Sequence, residues 1–174
     1  MLAKASNAEM KRFTRECIYE ALFQLLDTTP YDKITLNAIA RKAGVSRNAV
    51  YRNFESKELI LKTYVQEFAQ SMTDVLNRTE IDSDAQYVTS LFTRLCAFRV
   101  PAKKLVALHM EAMLLEAFLS MRDHFAQSPS HRDYYENCRI GAFFFIYLTW
   151  LENGCRESTE ELCALVRQII QKTF

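Results

Sequence analysis

Apolar residues recur along much of this chain at i, i+3, i+4 spacing, which predicts a succession of amphipathic helices. A first helix is expected from about Ala8 to Asp27, with Phe13, Cys17, Ile18, Ala21, Leu22, Leu25 and Leu26 as its inward stripe. Residues 1–7 read as a weakly basic arm, and Pro30-Tyr31 breaks the helix. A fourth helix, capped by Ser56, is expected from Lys57 to about Asn77 on the stripe Leu59, Ile60, Tyr64, Phe68, Met72, Val75 and Leu76. Ser83-x-x-Gln86 is a capping box that opens a helix to about Phe98. Pro101 begins another stretch to about Gln127, as one kinked helix or two, before a loop at Ser128-Pro129-Ser130. A helix from about Arg132 ends at Asn153-Gly154, and Ser158-x-x-Glu161 opens the last one.

Between the first and fourth helices lies ITLNAIARKAGVSRNAVYRNF, from Ile34 to Phe54. Ile34, Leu36, Ile39, Ala40, Ala43, Val45, Val50 and Phe54 give two short helices one inward stripe each. Thr35 and Ser46 stand where helix N-caps are needed, and Gly44 stands where the first helix must stop in a left-handed turn. The pattern is a helix-turn-helix over residues 34–53, an architecture that lays its second helix in a DNA major groove.

With Val50 and Phe54 turned inward, Arg47 pairs with Tyr51 and Asn48 with Arg52 on the opposite side of the second helix. Arginine can fork onto guanine O6 and N7, asparagine can pair with adenine N6 and N7, and tyrosine hydroxyls reach phosphates. A merely solvated face is the plainer reading of such a cluster. The agreement of turn, caps and stripes favours DNA.

From Arg15 to Leu61 the chain resembles the DNA-binding domain of the TetR/AcrR family of bacterial transcriptional regulators. The matching residues are Arg15, Ile18, Ala21 and Leu22, then Ile34-Thr35, Ile39-Ala40, Ala43-Gly44-Val45-Ser46, Tyr51, Phe54 and Lys57-Glu58-Leu59. Asn48 replaces a frequent family glycine and Ala49 a frequent threonine, which adds one base-reading candidate and removes one hydroxyl. The resemblance implies an all-α protein with two parts. Residues 8–62 would be a three-helix DNA-binding domain, and residues 63–174 a helical ligand-binding and dimerisation domain. It implies DNA contacts from Thr35, Ser46, Arg47, Asn48, Tyr51, Arg52 and Lys57, the last meeting a phosphate from the start of the fourth helix. It also implies a repressor that binds a palindromic operator in double-stranded DNA as a homodimer, with the fourth helix linking ligand and DNA sites. The segments LLDTTPYDKIT and WLENGCRESTEELCAL further resemble the TetR subgroup that includes the dihydroxyacetone-kinase operon regulator.

A formal net charge of +1 seems to argue against nucleic acid, but the charge is unevenly placed. Residues 1–63 hold 11 Lys/Arg against 7 Asp/Glu, and residues 64–174 hold 11 against 14. The basic excess lies on the DNA-reading half, as attraction to phosphates requires. Five scattered cysteines without C-x-x-C spacing read as reduced packing residues, with a redox-sensing pair as the alternative. The N-terminal MLAKASNAEMKRF lacks the apolar core of a signal peptide, and the longest apolar run, Ile140 to Leu151, is too short for a bilayer. A cytoplasmic protein without a membrane partner is expected.

The segment RIGAFFFIYLTWL is apolar around its whole circumference, so it must be buried on several sides. In the family the last two helices pair with their twins. Phe143, Tyr147 and Trp150, with Leu162, Val166 and Ile169 of the final helix, are the expected dimer contacts; a purely intramolecular core is the alternative. An effector pocket would be lined by Phe92, Met110, Met113, Phe118 and Met121, suited to an apolar or amphipathic small molecule, though such a set also reads as plain core. His109, His124 and His131 lack ligand spacing, so neither metal nor cofactor is expected. No glycine-rich phosphate loop, G-x-S-x-G or H-E-x-x-H supports an enzyme. The remaining competitor is a protein-interaction module whose helix-turn-helix no longer binds DNA.

Overall fold

Ser6 fixes the start of the first helix. Its hydroxyl accepts from the Glu9 amide at 3.2 Å while the Glu9 carboxylate accepts from the Ser6 amide at 2.6 Å, so each satisfies a donor the helix cannot. Helix α1 therefore runs Asn7–Leu26, earlier than the apolar pattern alone suggests. The computed structural model describes residues 6–78, 83–121 and 132–173, and every regular element among them is helical. A 3-10 turn follows at Tyr31–Lys33, then α2 at Leu36–Ala43, α3 at Arg47–Asn53 and α4 at Lys57–Arg78. Beyond these come α5 at Asp84–Ala97, α6 at Arg99–Ala107, α7 at Glu111–Ser120, α8 at Arg132–Glu152 and α9 at Thr159–Thr173. The chain divides into two compact units, Met1–Tyr64 and Val65–Phe174.

In the first unit Ile18, Leu22, Ile34, Ile39, Val50, Phe54, Ile60 and Leu61 are buried. Two expected members are missing: Phe13 is 63% exposed, and Leu59 of the α4 stripe 38%. At about 100° per residue, Phe13 stands about 180° around the helix from Leu22, whereas Tyr19 stands about 60° from it. Tyr19 takes the core position instead, its ring centroid 5.7 Å from that of Phe54 and 5.0 Å from that of Tyr64.

In the second unit Pro101 lies in the first turn of α6, where the missing amide breaks no internal bond. The stretch expected from Pro101 onward forms two helices. His109 adopts a left-handed conformation (φ 56°) between α6 and α7. The rest of that stretch and the Ser128-Pro129-Ser130 loop lie outside the described residues, as do His124 and His131. Gly154 (φ 82°) ends α8 as expected, with the Cys155 amide donating back to the Trp150 carbonyl at 2.8 Å. At Ser158 both bonds of the expected capping box form, at 2.8 and 3.2 Å.

Candidate nucleic-acid interface

The helix-turn-helix is assembled by local chemistry. The Thr35 hydroxyl accepts from the Ala38 amide at 3.1 Å and starts α2. Gly44, at φ 67°, ends it, and the Val45 amide donates to the Ala40 carbonyl at 3.1 Å. The Ser46 hydroxyl then accepts from the Ala49 amide at 3.1 Å and starts α3. Both hydroxyls keep their own O–H free to donate outward, and both residues are exposed.

Burial divides α3 cleanly. Val50 is wholly buried and Phe54, just past the helix, nearly so. Arg47, Asn48, Tyr51 and Arg52 are all exposed, Tyr51 at 53% despite its size. The structure therefore places these four on one outward surface, with Thr35 exposed at the start of α2 and Ser46 at the start of α3. The cations Arg41 and Lys42 at the end of α2 are exposed as well. Behind α3, the Arg15 guanidinium sits 5.3 Å from the Phe54 ring centroid and donates to the Tyr19 hydroxyl at 2.9 and 3.2 Å. Arg15 thus braces the end of α3 from the inner side, a contact that spacing along the chain does not reveal.

Lys57, expected to meet a phosphate, is bonded within the protein. Its ammonium donates to the Tyr31 carbonyl at 2.6 Å and the Ile34 carbonyl at 3.1 Å, and lies 4.3 Å from the Tyr31 ring centroid. The adjacent Glu58 accepts the Tyr31 hydroxyl at 2.9 Å. Desolvation and that bond both push the Tyr31 phenol well above its ordinary range. For Glu58 desolvation works upward, but bonds from its own amide, Tyr31 and Ser56, with the Lys57 charge, hold its carboxyl lower overall. The start of α4 is itself closed by the Ser56 hydroxyl, which accepts from the Leu59 amide at 3.1 Å.

The expected dimer contacts turn out to be mostly core. Phe143, Tyr147, Trp150, Leu162 and Val166 are each under 5% exposed within one chain. Phe143 packs edge-on against Phe92 at 5.7 Å, the Tyr147 hydroxyl donates to the Leu95 carbonyl at 2.8 Å, and the Trp150 indole donates to the Glu157 carbonyl at 3.1 Å. The all-round apolar helix is covered on those sides by its own unit. Its outward side is marked by Phe145, 64% exposed, which with Ile146, Thr149, Leu165 and Ile169 lines an open groove of about 330 Å³ between α8 and α9. Of the six residues expected at an interface, Trp150, Leu162 and Ile169 border this groove.

Two of the residues expected around an effector share one small cavity. Phe118 and Met121 line a cavity of about 10 Å³, with Met72, Leu95, Phe98 and Tyr147 among its walls. That is room for roughly one water molecule. Phe92 is in the core beside Phe143, and Met110 and Met113 are partly exposed. Burial is the leading cause that raises the Cys96, Cys155 and Cys163 thiols above their ordinary range, which fits packing better than reactivity. Among the described residues no His, Cys, Asp or Glu group could hold a metal ion, and no helix is long and apolar enough to cross a membrane.

An outward polar face on the second helix of a helix-turn-helix, followed by a separate helical unit, is the organisation of a DNA-binding regulator. Residues 18–64 match the family described as bacterial regulatory proteins, tetR family. The first unit thus carries a DNA-binding domain of the tetR-family type. The chain is 36% identical over 73 residues to the nucleoid occlusion factor SlmA of Marinomonas sp. (strain MWYL1), a match covering 42% of this chain and 36% of that protein. The chain thus spans only about a third of the curated relatives it matches. Two solved structures are similar over nearly the whole chain. The dihydroxyacetone kinase operon activator DhaS superposes with a TM-score of 0.65 at 17% identity, covering 91% of this chain and 94% of that one. The fatty acid degradation regulator FadR from Bacillus halodurans does so with 0.62 at 16% identity, covering 97% and 95%. At that identity the likeness establishes the fold alone.

Proposed function

We propose that this chain is a sequence-specific DNA-binding transcriptional regulator that reads a palindromic operator as a homodimer. The observation that carries the reading is the exposed set Arg47, Asn48, Tyr51 and Arg52 opposite the buried Val50 and Phe54. Arg47 and Asn48 stand at the start of α3 and supply the base-edge contacts, while Tyr51, Thr35 and Ser46 supply hydroxyls to phosphates. Arg52 adds charge on the same face. Selecting duplexes from a random-sequence pool with the full chain tests this: enrichment of a two-fold symmetric motif is expected, and recovery of unenriched DNA would count against it.

The dimer is best supported by the α8/α9 groove. Phe145 and Leu165 are large apolar side chains left on one surface of a single unit, and a two-fold contact buries each twice. Control by an apolar or amphipathic effector would require the walls around Phe118 and Met121 to move, since the cavity between them is nearly full. For any true effector, DNA must weaken its binding by the same factor that it weakens DNA binding.

A further inference from the structure

We propose that each half-site of the operator carries an adenine in the base pair next to a guanine, and that Asn48 selects this adenine through its N6 and N7 atoms. The inference rests on the DNA-binding function proposed above and names the sequence that function reads. At about 100° per residue, Asn48 stands about 160° around α3 from the wholly buried Val50, so it faces almost directly away from the core. It is exposed, and its carboxamide makes no bond to another described residue. Asn53, at the end of the same helix, shows the contrast: its amide nitrogen donates to the Ala49 carbonyl at 2.7 Å. Arg47 is exposed and equally uncommitted, whereas Arg12 and Lys33 each lie 3.6 Å from a carboxylate, of Glu16 and Asp32 respectively.

The donors and acceptors of each side chain decide its base. A carboxamide carries an acceptor oxygen beside a donor nitrogen, and a guanidinium carries donors only. In the major groove adenine presents an acceptor at N7 beside a donor at N6, while guanine presents two acceptors, N7 and O6. Asn48 therefore satisfies both its oxygen and its nitrogen on adenine, and Arg47 sets both prongs of its fork on guanine. Consecutive Cα atoms lie about 3.8 Å apart, close to the step of about 3.4 Å between stacked base pairs. Adjacent residues thus meet adjacent base pairs. The Ser46 cap and the buried Val50 hold α3, so the two side chains are placed together. Asn48 stands where TetR/AcrR regulators frequently have glycine, which has no side chain to read a base. The adenine is therefore a preference that this residue adds.

The test uses the full chain, a duplex selected by the wild type from a random-sequence pool, and a random duplex as comparison. Affinities of the wild type and Asn48→Ala are measured by fluorescence anisotropy. Asn48 is exposed and alanine favours a helix, so the variant should fold, which circular dichroism checks. The wild type should enrich half-sites with G·C and A·T in neighbouring base pairs. Changing that A·T pair should cost it about 5- to 150-fold per half-site. Replacing the adenine by 7-deazaadenine, which lacks only the N7 acceptor, should cost about 2- to 10-fold. Asn48→Ala should bind the selected duplex with the larger of these losses, be indifferent to both changes, and keep the neighbouring guanine preference. Three outcomes overturn the proposal. One is a selected motif without neighbouring G·C and A·T pairs. Another is an Asn48→Ala variant that still discriminates against the changed pair or the analogue, which gives the adenine to a different group. The third is an equal loss on the selected and random duplexes, which makes Asn48 a phosphate contact. A wild type that enriches no motif overturns the DNA-binding reading itself, and this inference with it.

Discussion

If the proposed dimer forms through the α8/α9 groove, truncating Phe145 to alanine should separate its two copies without unfolding either. The ring is 64% exposed on the single chain, so most of its apolar surface is still available to be buried. Full burial of a phenylalanine is worth about 1.5–3 kcal/mol, and the exposed share of it about 1–2 kcal/mol. A two-fold axis counts the residue twice, which makes about 2–4 kcal/mol per dimer and weakens association about 30- to 700-fold. Within one chain the same substitution lies on the surface and should change folding stability by no more than about 0.5 kcal/mol. Sedimentation equilibrium over a concentration series reads the first quantity and thermal melts read the second. Tyr147→Phe is the internal control: it removes one buried hydrogen bond, lowers stability by about 1 kcal/mol and leaves association unchanged. If Phe145→Ala associates as tightly as the wild type, the α8/α9 groove is not the interface and the reasoning fails.

Gly44→Ala should lower the stability of the first unit by about 1–2 kcal/mol, seen as an earlier melt. A Cβ there meets nothing within 4 Å, so the whole effect comes from φ 67°, and an unchanged melt would show that the turn relaxes freely. Glu58 gives a pH signature. Because its carboxyl is held below the ordinary value, its stabilisation is complete above the unfolded-state pKa and is lost as pH falls through the folded one. Acid titration of the wild type should therefore show a component that Glu58→Gln lacks, and superimposable acid transitions would contradict it.

How much of this was legible in the sequence depended on how far each interaction reaches along the chain. Thr35, Gly44 and Ser46 act on neighbours within four residues, so the helix-turn-helix could be read from composition and spacing alone. The box at Ser6 and Glu9 has the same spacing as those at Ser83 and Ser158 and was equally legible. Tyr19 and Phe13 could not be ranked so easily. Which side of α1 is inward is settled by Phe54 and Tyr64, far along the chain. Lys57 shows the same limit: its partners lie 23 and 26 residues earlier. For α8 the difficulty was different. A helix apolar on every side carries no periodicity to mark its free edge, so the buried Phe143 and Tyr147 looked as good as the exposed Phe145.

The central claim, that α3 reads base edges through the face opposite Val50 and Phe54, is tested most directly by Arg47→Ala. Its affinity should be measured against a panel of duplexes in which each base pair of the selected operator is varied in turn. The account predicts a loss of about 1–3 kcal/mol per half-site and a relaxed preference at one base-pair position in each, with discrimination elsewhere unchanged. A uniform loss across the whole panel would make Arg47 a phosphate contact and contradict the assignment of the reading face.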